Sequence, residues 1–351
     1  MTAPTLLALS TAVPPARYTQ TEIFEYLAPL LFERTRHARA IFGRAGVEHR
    51  HMVVDRDFYL QPQGTQARNE WYMQHALPLG EAALRGALAG AGRDLREVTD
   101  LFVVSCTGFD IPGLDLRLAG KLGLRTDLRR TCVLGMGCYA AFPALQRARE
   151  AVLAAPGRLA LVLCVELCSL HLQSDDSLEN MVVSALFADG AAAALIGPGD
   201  SAPDGQPRAR LLDAATFCDY STFDHMAFHV TDHGFQMRLS SYVPNVLAAN
   251  VEAFLTPLLE RNGLKQSDIA YWGIHPGGSK ILDYLQTQLG LSDADLACSR
   301  AVLRDYGNMS SPTILFVLDE MQRHAHPQPG DYGVLMAFGP GLTMESALVQ
   351  W

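Results

Sequence analysis

Nothing in this chain is apolar for long enough to suggest a membrane-spanning helix: no run approaches 18 uninterrupted apolar residues. Its start, Met1-Thr-Ala-Pro-Thr-Leu-Leu-Ala-Leu-Ser, lacks the positive segment and sufficient apolar stretch of a secretion signal, so a cytoplasmic protein is expected. Positive charge is also in short supply. Lys and Arg number 28 against 37 Asp and Glu, a net charge of -9, and the basic residues are scattered, which argues against a nucleic-acid partner. Cysteines at C-x-x-C spacing are missing, so neither a zinc site nor a dithiol redox centre is expected and no metal ligand is assigned. The cysteines total seven, an odd number, and most sit in apolar runs as reduced packing thiols do. Low-complexity segments are absent.

What remains is a globular composition, 49% hydrophobic and 19% charged over 351 residues, long enough for one large domain or two fused halves. The stretch that organises it is Arg130 to Arg149. Thr131 to Met136 reads as a buried strand, and after Gly137 apolar residues recur at helical spacing through Val152. Cys138 therefore falls where strand gives way to helix. There the unpaired N–H groups and helix dipole favour a negative charge, so a thiol ionises more readily. A free cysteine is also commonly a small buried hydrophobe, and this segment alone leaves both readings open.

Elsewhere the pattern predicts strands at 6–11, 100–107, 158–168 and 187–197. Helices are expected at 21–42, with Thr21 as N-cap, and at 71–91 and 116–122. Continuous apolar runs between helices suggest parallel strands buried on both faces. The linker-like Asp200 to Gln206 separates the halves, placing the domains at 1–199 and 200–351. The second half predicts strands near 209–216, 226–230, 332–338 and 344–351 and a helix at 244–261. A further helix is expected to open at Ser311 as N-cap with Pro312 first inside. His275, in His275-Pro-Gly-Gly, and Asn308, in Tyr306-Gly-Asn-Met-Ser-Ser-Pro, sit on glycine loops where a base and an oxyanion donor could serve Cys138.

Seven segments in order carry a resemblance. They are Asp110-Ile-Pro-Gly-Leu-Asp with Lys121-Leu-Gly-Leu-Arg, Met136-Gly-Cys-Tyr-Ala, Ala185-Leu-Phe-Ala-Asp-Gly-Ala-Ala, Ala227-Phe-His, His275-Pro-Gly-Gly, Tyr306-Gly-Asn-Met-Ser-Ser-Pro and Phe338-Gly-Pro-Gly-Leu-Thr. Together they resemble the type III polyketide synthases, the chalcone-synthase-like branch of the thiolase superfamily, over nearly the whole chain. The resemblance implies an α/β, five-layered αβαβα thiolase-like fold of two duplicated halves. It further implies a homodimer, a Cys138–His275–Asn308 triad, acyl-CoA and malonyl-CoA as substrates, and no metal or redox cofactor. In the implied reaction Cys138, held as a thiolate beside an imidazolium, takes an acyl group without a separate base. His275 and the Asn308 amide then hold the enolate formed when malonyl-CoA loses CO₂, and the extended chain cyclises to a pyrone or a resorcinol- or phloroglucinol-type product.

By the same matching, Phe187 and Phe228 are two gatekeepers and Ile111 reaches across the dimer interface. Gly339, Pro340 and Gly341 shape the cyclisation cavity, with Ala337 beside them where plant members usually have Gly. Cys106, Cys168 and His171 line the cavity. Their small or apolar neighbourhood, with Leu170, is closer to bacterial alkylpyrone and alkylresorcinol synthases and suggests a fatty acyl starter. Arg39, Arg44 and Arg50 are candidates for CoA, with Glu48 standing where the resemblance leads one to expect a basic residue. The competing expectations are a ketoacyl-ACP synthase III-like enzyme of fatty-acid synthesis and a catalytically silent acyl-binding subunit.

Overall fold

The computed structural model describes residues 3–199 and 208–351; the expected linker Asp200 to Gln206 lies outside the described residues. In chain order the elements are β1 (Thr5–Ala12), β2 (Arg17–Thr19), α1 (Gln20–Leu31), α2 (Thr35–Phe42), β3 (His49–His51), α3 (Thr65–Gly90), β4 (Asp100–Ser105), α4 (Leu114–Leu122), β5 (Arg129–Leu134), α5 (Ala141–Ala154), β6 (Ala160–Leu167), α6 (Leu178–Leu186) and β7 (Asp189–Gly197). The second half continues with β8 (Arg210–Cys218), β9 (Met226–Thr231), β10 (Gly234–Leu239), α7 (Val243–Arg261), β11 (Ile269–Ile274), α8 (Ser279–Leu289), α9 (Ala297–Tyr306), α10 (Thr313–Glu320), β12 (Tyr332–Gly339) and β13 (Thr343–Gln350).

Period-two alternation builds the layers, because successive strand residues point to opposite faces. In β6, Leu161, Leu163 and Val165 join an outer core that includes Leu84 and Leu88 of α3, whereas Ala160, Val162 and Cys164 join a central core with Ala144 of α5 and Val317 of α10. In β12, Leu335 and Ala337 face that same central core, while Val334, Met336 and Phe338 face a third core with Leu247 of α7 and Leu282 of α8. Helices, sheet, central helices, sheet and helices therefore stack as five layers, the thiolase-like α/β fold. The strands follow the order β11-β12-β13-β8-β1-β7-β6-β4-β5, and the halves join where Thr5 of β1 pairs with Arg210 of β8.

Several local expectations change. Expected as a buried strand, β5 pairs only with β4 and is an edge, so Val133 is buried but Cys132 and Leu134 are exposed. The helix expected over 21–42 is two, parted by Phe32 to Arg34. Its cap is Thr19, whose hydroxyl accepts from the Glu22 N–H while Glu22 accepts from the Thr19 N–H, a capping box. Phe187 closes α6 rather than opening a strand, and β7 is antiparallel to both β1 and β6. Ser311 does not cap α10. Its hydroxyl donates to Glu166 at 2.6 Å, and Pro312 takes the cap position.

Candidate active site

Three chain segments converge from different layers. Cys138 lies on the turn Gly137–Tyr139 between β5 and α5. Gly137 has φ +77°, and a Cβ on it would come within 2.8 Å of Pro340, so glycine permits both the turn and the close approach of the β12–β13 loop. His275 follows β11 and extends its pairing with β12 by donating its backbone N–H to Met336 O at 2.8 Å. Asn308 follows α9 through Gly307. Its N–H donates to Leu186 O at 2.8 Å and its carbonyl accepts from Ala188 N–H at 2.9 Å, a single parallel bridge to the end of α6.

All three side chains are buried and line one small chamber with Phe187, Met226, Met237, Leu239 and Phe338. The Ser310 N–H donates to the Asn308 amide oxygen at 2.8 Å, which leaves the amide NH₂ as the donor toward the chamber. Ser310 itself sits at φ +59°, an unusual backbone region for a side-chain-bearing residue, and its hydroxyl meets Cys106 Sγ at 3.5 Å. Beneath it the fully buried carboxylate of Glu166 accepts from Cys106 N–H at 2.9 Å, Thr107 Oγ1 at 2.7 Å and Ser311 Oγ at 2.6 Å. Burial raises the pKa of Glu166, and these donors oppose the rise. Motif matching missed Ser310 and Glu166. Ser310 lies in the same Asn-Met-Ser-Ser-Pro segment as Asn308 and could have been read as its companion.

In the chamber, burial acts on both members of the expected pair. Burial pushes the Cys138 thiol up to about 11, with hydrogen bonds from Ser310 and Asn308 pulling it partly back, and burial holds His275 down to about 3. Burial thus disfavours either charge taken alone. Neither ring nitrogen of His275 has a hydrogen-bond partner among the described residues, which leaves both free to bond a group entering the chamber.

A second chamber, lined by Thr107, Cys168, His171, Phe187, Phe228, Phe235 and Met237 among others, lies beyond the first. The residues common to both are Phe187 and Met237. Phe228 borders only the second chamber, and Met237 was missed, although Phe235, Met237 and Leu239 alternate as the inner face of a strand should. His171 contributes a wall rather than a base. Its Nε2 meets Thr107 O at 2.7 Å, its Nδ1 accepts from the Phe235 N–H at 3.1 Å, and its ring stacks on Phe235. With both nitrogens occupied and burial pulling its pKa to about 4, it stays neutral.

Other expected residues are dispersed. Cys106 and Leu170 border neither chamber, and Ala337 faces the central helices rather than the cavity. Gly339 packs against the nucleophile turn, since a Cβ there would meet Tyr139 at 2.6 Å, and Gly341 takes φ +124°. The Gly339-Pro340-Gly341 loop thus backs Cys138. Ile111 is 90% exposed and far from lining this chain's own chambers. Arg39 and Arg44 are exposed, Arg39 on a surface groove of about 400 Å³ with Arg36, and Arg44 with its carbonyl accepting from Ser279 Oγ near the His275 loop. Arg50 is fully buried and donates to Ser184 O and Phe187 O, so it cannot reach coenzyme A.

Comparison with known proteins gives matches over nearly the whole chain. Residues 2–200 match the family model for the N-terminal domain of chalcone and stilbene synthases, and residues 214–351 match the C-terminal one. The chain is 36% identical to 1,3,6,8-tetrahydroxynaphthalene synthase of Streptomyces peucetius subsp. caesius, over 98% of this chain and 92% of that one. It is 34% identical to 3,5-dihydroxyphenylacetyl-CoA synthase of Streptomyces toyocaensis, over 99% and 90%. Among solved structures, PKS-I from the brown alga Ectocarpus siliculosus superposes with a TM-score of 0.93 at 30% identity, covering 100% of this chain and 98% of that one.

Proposed function

This chain belongs to the chalcone and stilbene synthase family of type III polyketide synthases, and from that premise we propose that it extends a compact acyl starter on Cys138 with malonyl-CoA. The observation that carries the reading is the convergence of Cys138, His275 and Asn308 on one buried chamber. His275 takes the thiol proton, Cys138 Sγ attacks the starter thioester, and coenzyme A leaves as its thiol. Malonyl-CoA then loses CO₂, and the electron pair is held as an enolate by donors from His275 and the Asn308 amide. The enolate carbon attacks the acyl-Cys138 carbonyl, a carbon–carbon bond forms, and Cys138 is released for the next round. Cyclisation closes a pyrone or a resorcinol- or phloroglucinol-type ring. No metal or redox cofactor enters these steps.

The walls of the two chambers support the compact starter. Rings of Phe187, Phe228, Phe235 and Phe338 border them. The fatty acyl chain suggested by Cys106, Cys168 and Leu170 loses two of its three wall residues, because Cys106 and Leu170 border neither chamber. The relatives named for tetrahydroxynaphthalene and dihydroxyphenylacetyl-CoA favour a polyhydroxylated aromatic product.

A homodimer is part of the reading. The exposed apolar residues Phe109, Ile111, Leu116 and Leu134 accompany the unpaired edge of β5, a surface suited to a second copy. No helix of the described residues is long and apolar enough to cross a membrane, and we place the enzyme in the cytoplasm with its CoA thioesters. Exposed Arg39 and Arg44 are the candidates for their phosphates.

Incubating the purified protein with malonyl-CoA, alone and with acetyl-, hexanoyl-, lauroyl- or coumaroyl-CoA, followed by mass spectrometry, tests this. Products should form without any carrier protein, fastest from malonyl or acetyl starters. An absolute requirement for an acyl carrier protein would instead favour a ketoacyl-ACP synthase III-like enzyme, and Cys138 that never acylates would favour a silent acyl-binding subunit.

A further inference from the structure

The fully buried Arg50 has no place in the reaction as described. Its Nη1 donates to Ser184 O at 2.7 Å and Phe187 O at 2.8 Å, while Nε and Nη2 have no hydrogen-bond partner among the described residues. The guanidinium thus spends its directed bonds on the carbonyl end of α6, where helix carbonyls lack partners and the helix dipole favours a cation. Its aliphatic stem faces the other half of the protein. A Cβ on Gly307 would meet Arg50 Cδ and Cγ at 3.0 Å and Leu186 O at 2.8 Å. Arg50 therefore touches both sides of the bridge by which Leu186 and Ala188 hold the backbone of Asn308.

We infer that Arg50 is a positioning residue, a buried clamp that fixes the carbonyl of Phe187 and the Gly307–Asn308 turn together and so sets where the Asn308 amide donates. The inference rests on the proposed decarboxylating function and adds to it the device that aligns its oxyanion donor. A cation suits the task better than a neutral side chain for two reasons. One Nη1 serves two carbonyls at once, and the charge opposes the partial negative charge at the end of α6. The position is supplied by β3, whose His49–His51 pair with Arg17–Thr19 of β2, so the clamp is anchored outside the halves' shared bridge.

The test compares Arg50→Met and Arg50→Lys with wild type, counting intact sites by mass mapping of iodoacetamide on the Cys138 peptide. Per intact site, Arg50→Met should lower kcat for malonyl-CoA decarboxylation by about tenfold or more, since a misplaced oxyanion donor loses much of its effect. KM for malonyl-CoA should stay within about twofold, and Arg50→Lys should recover part of kcat because an ammonium can still reach one carbonyl. A raised KM with unchanged kcat would return Arg50 to coenzyme A binding and overturn the inference. Wild-type kcat per intact site, with only a lowered melting temperature, would reduce it to a packing residue and overturn it equally. If wild type labels at Cys138 yet never decarboxylates malonyl-CoA, the functional reading fails on its own. The crystal structure of Arg50→Met then judges the clamp: a displaced Phe187 carbonyl and Asn308 turn support it, and an unmoved bridge refutes it.

Discussion

Phe228 and Met237 are cross-strand partners in the β9–β10 hairpin, yet only Met237 borders both the Cys138 chamber and the chamber beyond it. The walls shared by the two chambers are thus one aromatic ring, Phe187, and one flexible thioether.

Shortening that thioether should widen the passage. Met237→Ala is expected to raise kcat/KM for hexanoyl-CoA relative to acetyl-CoA by about tenfold or more, because each additional buried methylene is worth about 0.8 kcal/mol once space exists. Phe228→Ala should alter product length or ring closure while leaving the hexanoyl-to-acetyl ratio near wild type. If Phe228→Ala moved that ratio and Met237→Ala did not, the shared walls would be misassigned.

The shifts of Cys138 and His275 make a pH prediction. A thiol raised to about 11 beside an imidazole lowered to about 3 gives alkylation that climbs with pH across the range from 7 to 9, since the thiolate fraction keeps growing below its pKa. A preformed thiolate–imidazolium pair would give a flat rate over the same range. Measuring iodoacetamide incorporation at the Cys138 peptide separates the two.

Much of this site was legible because its chemistry is carried by short local motifs. Cys138, His275 and Asn308 each stand in a glycine-marked turn after a strand or helix, and turn chemistry is written in adjacent residues. Arg50 was not legible. A basic residue in Val47-Glu-His-Arg-His reads as surface, and only the packing of β3 against the end of α6 buries it. β5 misled in the opposite sense, since an apolar run looks the same whether a sheet continues past it or ends there. Met237 lay in a plain Phe-x-Met-x-Leu alternation whose inner face is defined only once the hairpin folds over the chamber. Layer assignment followed readily, because period-two patterning fixes which face each strand residue takes.

Removing the oxyanion donor should separate two half-reactions. Asn308→Ala is expected to lower malonyl-CoA decarboxylation by on the order of 100-fold while Cys138 still accepts a starter, whereas Cys138→Ser should lose acyl loading almost entirely. Trapping the acyl-enzyme by mass spectrometry and following CO₂ release read the two steps independently. Normal decarboxylation by Asn308→Ala would remove the amide from the mechanism.

Charge placed on the exposed apolar face should break assembly. Ile111→Asp, at a side chain 90% exposed in the single chain, and Leu134→Asp, at 50%, are expected to shift the protein from dimer toward monomer in sedimentation, because an unpaired carboxylate in an apolar interface is strongly unfavourable. A wild-type protein that sediments as a fully active monomer would end the dimer reading.

Glu345 gives a stability prediction remote from the chemistry. Its carboxylate, on β13, is 3% exposed, accepts from Thr216 Oγ1 at 2.9 Å and Gln146 Nε2 at 3.4 Å, and has no Lys or Arg partner among the described residues. Burial raises its pKa from 4.5 to about 7. An unfolded chain releases this proton near 4.5, while the folded protein keeps it until about 7. Between those values the folded state binds more protons, so stability falls as pH rises, and the loss is complete above about 7. Gln keeps the acceptor oxygen without the charge. Glu345→Gln should therefore leave stability near wild type below pH 4.5 and raise it at pH 8, by an amount on the order of 3 kcal/mol. Chemical denaturation at pH 5 and pH 8 checks the sign: a gain that shrank toward high pH would mean that Glu345 is ionised and stabilised in the folded protein.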